Sequence, residues 1–456
     1  MSPEKTATRD RRARRAAWSS FLGSTIEYYD FLLYGAAAAL VFDKLFFSSL
    51  SPALGTIAAF ATLATGYVTR PLGGIVFGHF GDRVGRKSML ILTMSLMGVA
   101  SFLIGVMPTY HQIGFWAPVL LVTVRLVQGL AVGGEWGGAT LMSMEHARPD
   151  RRGLAAAFAG MGGPTGAVLA TGVFTVFSTL PERQFLSWGW RIPFLLSVLL
   201  LACGLFVRLK VTESPLFSEA EREVAEATER SEAPLLTVLR HYPKQVALSC
   251  ISGCGALVWQ SLAATFMIIY ALDLGHGRTT VLLAQTISSA LQIGAVAGYA
   301  ALSDRVGRRP VMLAGALGLA AASFPVMSLL GGGTPQLFLA FILVNVILQP
   351  ALYGPMAAFI SEMFGTRSRY NGASLGYQLA ATLGAGFAPL IASSLLAAAG
   401  GSGRIGLVAL FAAGVCLLSA AAIWRTRESY LADLGTTDQP DRAMPPRVPV
   451  TRPANP

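Results

Sequence analysis

Charged residues are scarce in this chain. Asp, Glu, Lys and Arg make up 13% of its 456 residues, about half the share of a soluble domain. The apolar runs left between them reach the roughly 20 residues that cross a bilayer, longer than a soluble core helix needs. Acidic residues are fewer than basic ones, 24 against 35, for a net charge of +11. That surplus does not point to nucleic acid, because the basic residues sit in turns between apolar runs and form no amphipathic face. Cysteine is almost missing. Cys203, Cys250, Cys254 and Cys416 all fall in apolar segments, where cysteine acts as a small hydrophobe, so no structural disulfide is expected. Cys250 and Cys254 share a helix face, but no His or carboxylate lies beside them, and no metal site is expected. The chain has no Gly-x-x-x-x-Gly-Lys-Ser/Thr loop, which argues against direct ATP drive. It shows no hydrolytic site, and an enzyme is not expected.

A short motif occurs twice, about half the chain apart. Gly78-His79-Phe80-Gly81-Asp82-Arg83-Val84-Gly85-Arg86-Lys87 returns, altered, as Ser303-Asp304-Arg305-Val306-Gly307-Arg308-Arg309. Each copy is a basic turn between two long apolar segments, so the chain reads as a tandem duplication of a membrane unit. The apolar segments lie near 17–42, 54–80, 88–107, 115–144, 153–180, 190–208, 244–271, 280–302, 310–330, 335–361, 371–398 and 404–424. Each is predicted to be a helix, since a lone strand in lipid leaves its backbone unsatisfied. The predicted fold is an all-α integral membrane protein, with twelve transmembrane helices in two six-helix bundles. The expected division is a basic tail (1–16), a first bundle (17–208), a polar linker (209–243), a second bundle (244–424) and a disordered tail (425–456). The first apolar segment follows Arg9, Arg11, Arg12, Arg14 and Arg15 as a signal peptide would, but it contains Glu27 and Asp30 and lacks a small-residue cleavage site. It is read as a retained helix. Most Lys and Arg fall in the tails and alternate turns, while the opposite loops hold only Lys44, Arg183, Arg191, Arg278 and Arg404. Both termini are therefore expected in the cytoplasm.

A charge inside the bilayer costs at least about 2.5–3.5 kcal/mol, so it normally meets a partner or a wet cavity. Glu27 and Asp30 share one helix face. At about 1.5 Å per residue, Glu27 and Arg125 both lie about 15 Å into their helices, near the midplane. Arg70 and Glu135 lie nearer the cytoplasmic ends. The expected pairs are Arg125 with Glu27 or Asp30, and Arg70 with Glu135. A substrate carboxylate that occupies an arginine would free the carboxylate that arginine held, and the freed group would take up a proton. The other reading is a permanent structural ion pair, favoured for Arg70 with Glu135. Asp82, Arg83 and Arg86, with Asp304, Arg305 and Arg308 in the second copy, are expected to form a cytoplasmic latch. Glu145 and Glu362, at helix ends before basic turns, are read as gate or cap residues. The second half has no charge deep in a helix, but places Gln260 and Tyr353 mid-helix. Neutral donors of this kind suit a hydroxylated or zwitterionic substrate.

The repeated turn resembles the loop motif of the major facilitator superfamily. Nearly the whole chain is similar to its metabolite:proton symporter branch, through Glu27-Tyr28-Tyr29-Asp30-Phe31, Arg70-Pro71-Leu72-Gly73-Gly74, Gly133-Gly134-Glu135-Trp136-Gly137-Gly138 and Ser187-Trp188-Gly189-Trp190-Arg191-Ile192-Pro193-Phe194. The first half is most similar to the shikimate carriers of that branch. The resemblance implies proton-coupled uptake of a small organic acid, such as shikimate or a related carboxylate, across the inner (cytoplasmic) membrane. A proline- or betaine-type zwitterion is the alternative. The coupling ion would be the proton, with no other cofactor, and the partners would be the substrate and the lipid bilayer, with the protein working as a monomer. A drug:proton exporter would carry Gly-Gly two residues after a helix-5 Gly-Pro, where this chain has Gly163-Pro164-Thr165-Gly166-Ala167. A non-transporting membrane sensor would need a signalling domain, which the short tails are not expected to supply.

Overall fold

A computed structural model describes residues 21–74, 76–77, 86–133, 151–210, 238, 240–365, 369–401 and 404–430. Among these the long helices are α1 (residues 21–45), α2 (Pro52–Gly74), α3 (Arg86–Val106), α4 (Trp116–Val132), α5 (Arg152–Ser178) and α6 (Ile192–Lys210). The second half holds α7 (Pro243–Asp273), α8 (Arg278–Val306), α9 (Arg308–Leu329), α10 (Thr334–Glu362), α11 (Asn371–Ala398) and α12 (Gly406–Arg425). Pro52, Pro243 and Pro335 stand in the first turn of their helices, where the missing N–H costs nothing. No described residue is in a strand. Nine of these helices have the length and apolarity to cross a membrane. Leu199, Phe206, Leu410, Leu418 and Trp424 stand exposed on the outside, as lipid-facing side chains do.

Apolar burial does not drive helices together in lipid, so close approach and polar contacts decide the packing. At the α2–α4 crossing, a Cβ on Gly129 would overlap the Gly66 carbonyl, and one on Gly133 the Arg70 carbonyl. Thr69 adds a hydrogen bond to the Leu126 carbonyl at 3.2 Å. Arg191 donates to the carbonyls of Gly105 (2.9 Å) and Met107 (2.7 Å), closing the open end of α3. Beside it, Phe42, Phe46, Trp190 and Phe194 pack edge to face or stacked.

Four helices widen locally into π turns: Ala38–Phe42 in α1, Leu262–Phe266 in α7, Leu343–Leu348 in α10 and Ala381–Gly386 in α11. The α10 turn precedes Pro350, which has no N–H to give the preceding turn. The turn between α8 and α9 is one residue, Gly307, at φ +103°, a conformation that favours glycine.

The described residues run past 425, where the tail is expected to start. Glu428 accepts from the backbone N–H groups of Arg308 (3.0 Å) and Arg309 (2.8 Å), so a carboxylate at the N-terminus of α9 fixes this stretch. Residues 1–20, most of 209–243, and 431–456 lie outside the described residues.

Candidate functional site

Four charged side chains are buried together in the first half: Glu27 and Asp30 on α1, Arg70 on α2 and Arg125 on α4. Arg125 donates from Nη1 to Gln128 Oε1 at 2.7 Å. Gln128 Nε2 donates to Ser101 Oγ at 2.7 Å, and the Ser101 hydroxyl is hydrogen-bonded to Asp30. A polar string thus runs from α4 through α3 to α1. Asp30 Oδ1 and Arg125 Nε and Nη2 are buried without a hydrogen-bond partner. The charges of Asp30 and Arg125 act on each other across this gap.

Of the two partners expected for Arg125, Asp30 acts on it and Glu27 does not stand with it. Glu27 Oε1 lies 3.9 Å from Arg70 Nη1, not on Arg125. The cause is Gly66, whose missing side chain leaves the groove in which Arg125 lies and turns the guanidinium toward Gln128. Phe31 carries both cations, with Arg70 Cζ 3.8 Å and Arg125 Cζ 4.0 Å from its ring centroid. Cation–π contact of this kind offsets part of the cost of burying two like charges. Glu135, the partner expected for Arg70, lies outside the described residues, as do Glu145, Asp82, Arg83 and the side chain of Arg86.

Beside Glu27 the two halves meet through hydroxyl groups. The Tyr28 hydroxyl is hydrogen-bonded to those of Tyr353 (3.2 Å) on α10 and Tyr377 on α11. Tyr353 is also hydrogen-bonded to Gln260 on α7. One small cavity, lined by Tyr28, Phe31, Tyr67 and Gln260 among others, lies on one side of this cluster. A second, lined by Gly160, Tyr353, Met356 and Tyr377 among others, lies on the opposite side. Each holds about one water molecule. Gln260 and Tyr353 were singled out from sequence, whereas Tyr28 and Tyr377 were not. The available signal was a mid-helix hydroxyl next to a buried carboxylate, and for Tyr377 only the fold supplies that neighbour.

The halves also join at both ends. At the end with the basic turn, Asp304 accepts the backbone N–H groups of Gly153 (2.8 Å) and Leu154 (3.0 Å), at the start of α5 in the other half. Arg308 Nη1 lies 2.6 Å from Asp304, and its Nη2 3.4 Å from Glu362, which also accepts from the Ser429 hydroxyl at 2.9 Å. Arg305 is exposed and stands apart from this network among the described residues. At the opposite end Arg278 donates to the carbonyls of Ser178 (2.8 Å) and Leu180 (3.0 Å). Between the ends, Thr382 donates to the Tyr67 carbonyl at 2.9 Å. The central group is therefore closed off on both sides. Asp304→Ala removes both caps on α5 and the near partner of Arg308. A lost helix cap alone costs about 0.5–2 kcal/mol. The expected result is a longer and broader distance distribution between spin labels at the facing ends of α5 and α8, against an unchanged distance at the Arg278 end.

The sequence pattern of the family described as sugar (and other) transporter matches residues 16–429. The chain is 40% identical to the shikimate transporter of Escherichia coli (strain K12), across 92% of this chain and 96% of the relative. It is 32% identical to the proline/betaine transporter of Salmonella typhimurium (strain LT2), across 85% of this chain and 78% of the relative. Its fold matches the xylose transporter XylE from E. coli in a partially occluded inward open conformation, at a TM-score of 0.70 and 18% identity, across 91% of this chain and 98% of that one.

Proposed function

We infer the function from one premise: the chain belongs to the sugar (and other) transporter family of the major facilitator superfamily, and is a multi-pass membrane transporter of small molecules. We propose that it is a symporter that uses inward proton flow to take up a small hydroxylated organic acid, shikimate or a related carboxylate. The observation that carries proton coupling is Asp30, buried in the first half with one carboxylate oxygen unpartnered and Arg125 as its counter-charge. Protonation neutralises Asp30 and leaves Arg125 to Gln128; loss of the proton restores the attraction across the gap. A group with two such states can be loaded from one side of the membrane and emptied to the other.

The substrate class is supported by the identity to a shikimate transporter and by hydroxyl and amide donors at the seam, Tyr28, Tyr353, Tyr377 and Gln260. A proline- or betaine-type zwitterion is the second reading, on the 32% identity to a proline/betaine transporter. The cavities beside the tyrosines are smaller than either molecule, so binding requires the halves to part. In this reading the two bundles rock about the central group, with the Asp304 turn as the cytoplasmic latch and Arg278 as the outer one. Both termini face the cytoplasm, and the monomer is the working unit. One proton entering with one carboxylate anion moves no net charge, so the pH gradient is the drive; one pH unit supplies about 1.4 kcal/mol, enough for roughly tenfold accumulation.

The test is uptake into proteoliposomes under an imposed inward proton gradient, with radiolabelled shikimate, 2-oxoglutarate, citrate and proline betaine compared. Accumulation of shikimate or a related acid that a protonophore abolishes is the expected result. Accumulation of proline betaine alone would move the assignment to the zwitterion, and protonophore-insensitive equilibration would remove proton coupling.

A further inference from the structure

We propose that Arg70, not Arg125, is the anchor for the substrate's carboxylate, and that it grips a small hydroxylated monocarboxylate whose hydroxyls face Tyr28, Tyr353, Tyr377 and Gln260. The proposal rests on the symport reading above and assigns the binding role within it.

Sequence depth favours Arg125 for this role, but the surroundings separate the two arginines. The groups that act on or touch the Arg125 guanidinium come from α1–α4: Asp30, Phe31 and Tyr34, Gly66, Tyr67 and Arg70, and Gln128. One of its ends is committed to Gln128. A substrate arriving between the halves meets no exposed edge of it. Arg70 instead stands at the seam. Its guanidinium lies on the rings of Phe31 (3.8 Å) and Tyr67 (4.3 Å), and both rings line the cavity between the halves. The Tyr67 carbonyl accepts a hydrogen bond from Thr382 of α11, and the charge of Arg70 acts on Tyr377 of the same helix.

Arg70 is also held loosely. Its Nε, like Nε and Nη2 of the enclosed Arg125, is buried without a hydrogen-bond partner, and its ion pair with Glu27 spans 3.9 Å, against 2.6 Å for Arg308 with Asp304. A guanidinium offers a carboxylate two parallel N–H donors, and a free Nε is one of the pair that such a fork uses. A substrate carboxylate would engage that edge as Glu27 gives way. The hydroxyl cluster adjoins Glu27, whose charge acts on Tyr28, Tyr353 and Tyr377, so donors for ring hydroxyls lie next to the cation for the acid. The two arginines then divide the work: Arg125 serves the proton on Asp30, and Arg70 serves the substrate.

The test is competition against radiolabelled shikimate bound to the purified protein, with shikimate and its neutral carboxamide as competitors. A hydrogen bond to a charged group of this kind gives the acid an advantage of about 10- to 100-fold over the amide. That advantage is expected in the wild type and in Arg125→Gln, and it should vanish in Arg70→Gln. Arg70→Lys keeps the charge but not the fork, so it guards against a glutamine variant that does not fold, and it should lower the advantage by about tenfold. An advantage that survives whole in Arg70→Gln or Arg70→Lys, or that disappears in Arg125→Gln alone, overturns the assignment. Wild-type protein that takes up acid under a proton gradient but fails these comparisons sinks this inference only; wild-type protein that takes up no acid sinks the symport reading beneath it.

Discussion

Asp30→Asn is expected to abolish proton-driven accumulation while substrate exchange across the membrane continues. The change keeps the shape of the side chain and its bond to Ser101, but it removes the group that alternates between charged and neutral. Asp30 is 2% exposed, and the buried cation whose charge acts on it is Arg125. The asparagine variant is a fixed imitation of the protonated state, and the carrier can still load, rock and unload substrate in that state. Accumulation under an inward gradient of about one pH unit should fall from roughly tenfold to about one, measured as the ratio of internal to external label at steady state. Counterflow of label against unlabelled substrate should persist within a few-fold. Accumulation equal to wild type would remove Asp30 from the coupling path.

The second large effect concerns the scaffold that holds the two arginines. Gly129→Val is expected to cost about 3 kcal/mol or more, above the usual range for overpacking. A Cβ at Gly129 would fall on the carbonyl of Gly66 and the hydroxyl of Thr69, and backbone there cannot rotate aside. Relief requires α2 and α4 to separate, which moves Arg70 and Arg125 together. Gly298→Ala is the control, because nothing lies within 4 Å of the added atom, and it should stay within about 0.5 kcal/mol of wild type. Thermal unfolding of the two variants in detergent, followed by the loss of a monodisperse peak, separates the two expectations. Equal stability of Gly129→Val and wild type would mean that the helices do not meet as described.

The helices were legible because bilayer thickness forces apolar runs of one length, and the basic turn was legible because it occurs twice. The cost of a charge in lipid picked out Glu27, Asp30, Arg70 and Arg125, which the structure brings to one place. Their pairing was legible only in part: Asp30, one of the two expected partners, acts on Arg125, but Glu27 stands with Arg70. Helical depth puts Arg125 level with α1, but the groove at Gly66 decides where its guanidinium points, and a groove between two helices leaves no mark on either sequence alone. The same holds for the partners of Asp304, a residue that the sequence gives only as a member of the expected latch. Its partners are the N–H groups of Gly153 and Leu154, in the other half of the chain. The π turns in α1 and α7 escaped for a further reason. They lack the proline that follows those in α10 (Pro350) and α11 (Pro389), and apolar residues around them fit an ordinary helix equally well. Glu428 belongs to a stretch whose composition is that of a disordered tail, and a single carboxylate at the α9 N-terminus overrides that bias.

The most direct test of proton-coupled symport records the proton and the substrate together. Vesicles containing the purified protein and a trapped pH dye, with the membrane potential clamped and no pH gradient imposed, receive the acid that accumulates in the uptake comparison. The account predicts that adding the acid outside acidifies the lumen in step with its entry, and that Asp30→Asn abolishes the acidification. Entry of the acid with no proton movement, or with alkalinisation of the lumen, would contradict it.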